Sequence, residues 1–80
     1  MNKLKTARNL AGLSQSQLAT QAGINIGTLR HYEQGSKIFD HARIATILKV
    51  CAALNCRLED VLEDRETLEL LAEYEKKKSR

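Results

Sequence analysis

Three groups of side chains in this 80-residue sequence could do chemistry: two cysteines, two histidines, and the polar residues scattered through Leu13 to Gly35. Cys51 and Cys56 stand five apart, which is neither the C-x-x-C spacing of a redox pair nor a common zinc spacing. They read as reduced thiols used as small apolar residues. His31 and His41 have no partner at ligand spacing, so no metal site is expected. No nucleophile is spaced with a base and no glycine loop could cradle a phosphate, so the chain does not read as an enzyme. No cofactor is implied. The third group is LSQSQLATQAGINIGTLRHYEQG. Its second half puts Ile26, Gly27, Thr28, Arg30, His31 and Gln34 on one outward helix face, a surface that a nucleic-acid duplex could meet.

Presenting that face takes two short helices and a tight turn. Ser14 and Gln17 form an S-x-x-Q capping box, with Leu13 and Leu18 at staple spacing around it. Leu18, Ala19 and Ala22 supply the buried stripe, and Gly23 ends that helix. The turn is Gly23-Ile24-Asn25. Asn25 caps the next helix, Ile26 to Gln34, which Gly35 ends. Ile24 and Leu29 repeat the staple spacing, Leu29 points inward, and Tyr32 is partly buried. In front stands a helix over residues 2–11, with Leu4, Ala7, Arg8 and Ala11 sharing a face that Leu10 widens. Gly12 caps it.

Behind the pair, Ser36 to Phe39 reads as a loop. Ile38 and Phe39 either tuck beneath the following helix or meet a second subunit. A fourth helix is expected from Asp40, as its cap, to Leu54. Its stripe is Ile44, Ile47, Leu48, Cys51, Ala52 and Leu54, and Asn55 ends it. A short fifth helix covers 58–63, and a last helical segment runs from Glu66 to about Lys77, fraying in KKKSR. There is no proline and no strand-length β-branched run, so the class is all-α.

Length allows one domain, and no apolar run reaches the roughly 20 residues of a membrane span. The N-terminus lacks a signal-type apolar core, so a cytoplasmic location is the default. Charge is uneven. Residues 1–57 hold eight Lys/Arg against two acids, Glu33 and Asp40, whereas residues 58–80 hold five against eight. A basic front suggests a polyanion partner for the front alone.

The pattern L-[ST]-Q-x-x-L-A-x-x-x-G-[IV]-x-x-x-[TS]-[IL]-x-x-x-E-x-G is matched nearly throughout Leu13–Gly35, and LKVCAALNCRLEDVL follows it. In these residues the sequence resembles the phage repressor/Cro-like (xenobiotic-response-element) helix-turn-helix family over residues 4–62. The resemblance implies a five-helix, lambda-repressor-like DNA-binding domain over 1–63, with the helix-turn-helix proper at 14–35 and a helical extension at 64–80. It implies a bacterial or phage transcription regulator, a repressor by expectation, that binds operator double-stranded DNA as a homodimer. Carried over, phosphate contacts fall on Ser14, Gln15, Gln34 and Lys37, and also on His41 and Arg43. Base reading falls on Ile26, Gly27, Thr28, Arg30 and His31. A buried ion pair falls on Arg8 and Glu33, which explains an arginine on an apolar stripe. Ile26 and Gly27 replace polar residues that many relatives use, which leaves direct readout to Arg30 and His31. Lys3, Lys5 and Lys49 read as solvated.

The extension offers a seam of Leu68, Leu71 and Ala72, with Tyr74 beside it. It either folds back, pairs with its copy, or takes a protein partner such as a toxin or another regulator. An antitoxin or protein-interaction module is therefore the rival from a different class. TLRHYEQG also resembles the mercury-resistance-regulator family, but that family lacks a long helix before the motif and follows it with a wing.

Overall fold

The computed structural model describes residues 2–78. Five α-helices follow in order: α1 (Lys3–Leu10), α2 (Gln15–Ala22), α3 (Ile26–Gln34), α4 (Ile44–Leu54) and α5 (Arg65–Lys78). Two 3₁₀ turns, Phe39–His41 and Leu58–Asp60, flank α4. No strand occurs among the described residues, and the class is all-α. Among the described residues no helix is long and apolar enough to cross a membrane.

Packing centres on α2, which lies against both α3 and α4, while α1 closes on α3. Leu4, Leu18, Leu29, Val50 and Val61 are fully buried, so four helices and the stretch after the second 3₁₀ turn each give one side chain to a single core. Burying one such leucine contributes roughly 1.5–3 kcal/mol. The helix ends follow the sequence. Asn2 caps α1 by accepting from Lys5 N, Gly23 and Gly35 adopt left-handed φ of 69° and 85°, and Asn55 ends α4 at φ 53°. Gly12 is also left-handed, one residue beyond the α1 cap at Ala11.

Leu10 does not widen the buried face of α1; it is 84% exposed. Helix α4 begins at Ile44 rather than Asp40. Phe39, buried edge-on to Tyr32 at 5.2 Å between ring centroids, instead holds itself, Asp40 and His41 in a 3₁₀ turn ahead of α4. Asp40 caps a different place, since its carboxylate accepts from the backbone N–H groups of Glu63 and Asp64 at the approach to α5. The two loop residues part ways: Phe39 tucks in and Ile38 stays exposed. On α4 the buried set is Ile47, Val50, Cys51 and Leu54, whereas Ile44, Leu48 and Ala52 face outward. The short fifth helix is only a 3₁₀ turn. Helix α5 continues through Lys76 and Lys77 to Lys78 where fraying was expected; Ser79 and Arg80 lie outside the described residues. Lys3 is not merely solvated, because its ammonium donates to the Glu59 and Leu62 carbonyls and ties α1 to the chain before α5.

Both cysteines are free thiols. Burial, reinforced by the neighbouring Cys56, pushes the Cys51 thiol up to about 12, and burial also raises Cys56. Neither is a thiolate near neutral pH.

Candidate nucleic-acid interface

Two capping arrangements aim the site. At the start of α2, Ser14 Oγ accepts from Gln17 N at 3.0 Å and Gln17 Oε1 accepts from Ser14 N at 2.8 Å. At the start of α3, Asn25 Oδ1 accepts from Thr28 N at 3.2 Å. The left-handed Gly23 lets the chain reverse between them in three residues, and Ile24 N donates back to the Ala19 carbonyl. These contacts fix where the first turns of both helices point. Those turns present free N–H groups, the positive end of the helix dipole.

Beneath the pair lies the Arg8–Glu33 ion pair. Arg8 Nε and Nη2 donate to the two Glu33 oxygens at 2.7 and 3.0 Å, with side chains only 10% and 2% exposed. Arg8 Nη1 also donates to the Leu13 carbonyl at 2.7 Å, which pins the loop before α2. The hydrogen bond to Glu33, above all, lifts the Arg8 guanidinium above its ordinary range. A two-pronged pair of this kind survives burial because each guanidinium nitrogen and each carboxylate oxygen has a hydrogen-bond partner. It locks α1 to α3 and so sets the tilt of α3.

The network reaches the surface. Gln15 Nε2 donates to Glu33 Oε1 at 3.1 Å, and Gln15 Oε1 accepts from Arg30 Nε at 3.4 Å. His31 Nδ1 lies 2.9 Å from Ser36 Oγ, which holds the ring against the start of the next loop. Sequence reasoning missed both ties. The Gln15 tie had a signal in its position at the first turn of α2, facing the glutamate of the pair; the Ser36 tie had none.

The outward residues divide by exposure. Arg30, His31, Gln34, Lys37 and Arg43 are exposed, with Arg43 immediately before α4. Ser14 is exposed, but its hydroxyl and N–H are engaged in the capping box. Thr28 is half-buried. Ile26, expected on the outer face, is half-buried and packs against the core. Gly27 has a local reason to be glycine: a Cβ there would come within 2.9 Å of Asn25 Oδ1, the capping atom. His41 is exposed in the 3₁₀ turn and lies on the side of Asp64, whose carboxyl is held low chiefly by the Thr67 hydroxyl and N–H and only lastly by His41. In the expected seam of α5, Leu68 and Leu71 are half-buried against the core, whereas Ala72 and Tyr74 are exposed. Part of the segment thus folds back, and the seam does not stand as one surface.

The charge layout suits an anionic partner. Glu33 is paired and buried, Asp40 is engaged by backbone N–H groups, and every other acid lies at residue 59 or beyond. Among the described residues no group of three or more His, Cys, Asp or Glu could hold a metal ion.

A comparison with curated proteins finds no match. Residues 4–61, most of the chain, match the model of a helix-turn-helix family. The capped helix pair, the cationic α3 face and this match agree, and the chain belongs to the Cro/C1-like (xenobiotic-response-element) family of helix-turn-helix DNA-binding regulators.

Proposed function

We propose that this regulator is a bacterial or phage repressor that binds operator DNA as a homodimer in the cytoplasm, with α3 in the major groove. The observation that supports it most is the rigid setting of α3, which is capped at both ends, tied to α1 through Glu33 and cationic on its free face. A helix fits the major groove, and its outward side chains reach base edges. In this reading Arg30 and His31 read bases, assisted by Thr28. The methyl groups of Ile26 reach a thymine methyl only with their exposed part, and Gly27 contributes close approach and no side chain. Gln34, Lys37 and Arg43 meet phosphates. Ser14 serves mainly by shaping the α2 terminus, while the neighbouring Gln15 and its backbone N–H approach the backbone of the duplex. His41, beside Asp64, is the weakest phosphate candidate.

Selection of bound duplexes from a random pool at stated salt tests the proposal. The expected result is a two-fold-related consensus with half-sites about one helical turn apart. Arg30→Ala relaxes one base position, costing about 1–3 kcal/mol of discrimination there, whereas Lys37→Ala weakens all sequences alike. Absence of binding at about 50 mM salt contradicts the proposal, and binding without a consensus reduces it to nonspecific attachment.

A further inference from the structure

Helix α5 has no fully buried residue. A lone helix of its length is marginal in water, so its hold on the protein matters. That hold comes from Leu68 and Leu71 on the core and the Arg57–Glu75 contact at 3.6 Å. On another side, Leu70 and Tyr74 are 58% and 61% exposed. They belong to a row at four-residue steps, Glu66, Leu70, Tyr74 and Lys78. Such a row is a continuous ridge along a helix, here about 18 Å long. Its order is acidic, apolar, aromatic, basic. Among the described residues, neither Glu66 nor Lys78 has an ion-pair partner, whereas Glu73 and Lys77 bond each other within the helix at 3.1 Å.

We propose that this ridge docks on the same ridge of a second copy of the chain, antiparallel, about a two-fold axis midway between Leu70 and Tyr74. In that register Glu66 meets Lys78 of the other copy, Leu70 meets Tyr74, and the reciprocal contacts repeat, as an isologous interface requires. The parallel arrangement sets Glu66 against Glu66 and Lys78 against Lys78, so charge selects the antiparallel one. Charge also selects a second copy over a foreign partner, because the sequence order of the ridge is its own complement. A single ridge of four side chains is a small contact beside the roughly 1,200 Å² of a standard interface, so the expected free dimer is weak and forms only at high concentration. On two adjoining half-sites, tethering by DNA raises the effective concentration. The proposal deepens the homodimer reading above, and its test uses no DNA.

Sedimentation equilibrium of the chain over a wide concentration range is the measurement. The expected result is a concentration-dependent dimer, weakened about tenfold or more by Glu66→Lys or by Lys78→Glu alone and restored when both are combined. Tyr74→Lys abolishes it with the helical circular-dichroism signal retained, since the side chain is exposed; the charge exchange decides the matter should that variant lose its fold. A chain that is monomeric at every concentration overturns the proposal. So does a dimer indifferent to the single reversals, or one that the double reversal fails to restore. Operator selection with the Tyr74→Lys variant separates the two readings: sequence-selective binding without free dimer leaves the DNA-binding function standing and removes only this interface.

Discussion

The two ends of this molecule are built from the same elements to different effect. The front, α1 to α3, is held by burial: Leu4, Leu18 and Leu29 are fully enclosed, and even its ion pair is out of water. The rear, α5, is amphipathic and carries three ion pairs, Arg57–Glu75, Arg65–Glu69 and Glu73–Lys77, all on the surface. Exposed pairs contribute little, because solvent screens them and two long side chains must be ordered to make them. Ion pairs therefore do not measure how firmly a segment is held. What matters is whether their charges have left water. The front can present a fixed surface to a ligand; the rear is a lightly attached arm.

Removing one partner of the buried pair is the strongest way to test that contrast. Glu33→Ala leaves Arg8 enclosed without its counter-charge and is expected to cost roughly 3–5 kcal/mol in urea denaturation. Replacing both partners with apolar residues of similar volume should recover most of that loss. An effect of Glu33→Ala no larger than that of a surface pair breaks the comparison. Leu71→Ala comes next. The side chain is only half-buried, so the expected loss is about 1 kcal/mol, concentrated in faster amide hydrogen exchange of α5 while α2 and α3 stay protected. The smallest effect is on pH. The Thr67 hydroxyl, and then the Thr67 N–H, hold the Asp64 carboxyl below its usual range. Its capping contribution is then complete above the ordinary carboxylate pKa and is lost as pH falls through the lowered one. Acid titration followed by circular dichroism should show part of the α5 signal fading over that window, and Asp64→Ala should remove that component.

The same contrast explains what could be seen in the sequence. In the front, information is local. Caps lie within three residues of the groups they satisfy, and glycine marks the ends of α2 and α3. Helix α3 was therefore legible to the residue. The Arg8–Glu33 pair was legible by family resemblance rather than spacing. The α4 stripe was not, because IATILKVCAAL is apolar almost all round and its periodicity cannot choose a face. Val50, fully buried, falls outside the expected stripe, while Leu48, half exposed, falls inside it. Asp40 misled for another reason: the N–H groups it serves are more than twenty residues away.

The chain of hydrogen bonds from Arg8 through Glu33 and Gln15 to Arg30 also has an entropic side. A free arginine on a surface samples many rotamers and must abandon them to make one defined contact. Ordering a long side chain at an interface costs about 0.5–1.5 kcal/mol. Arg30 has already given up part of that freedom on folding, because the protein's own interior holds Gln15 in place and Gln15 holds the guanidinium. The stiffness of the buried pair is thus exported, one hydrogen bond at a time, to a residue that faces solvent.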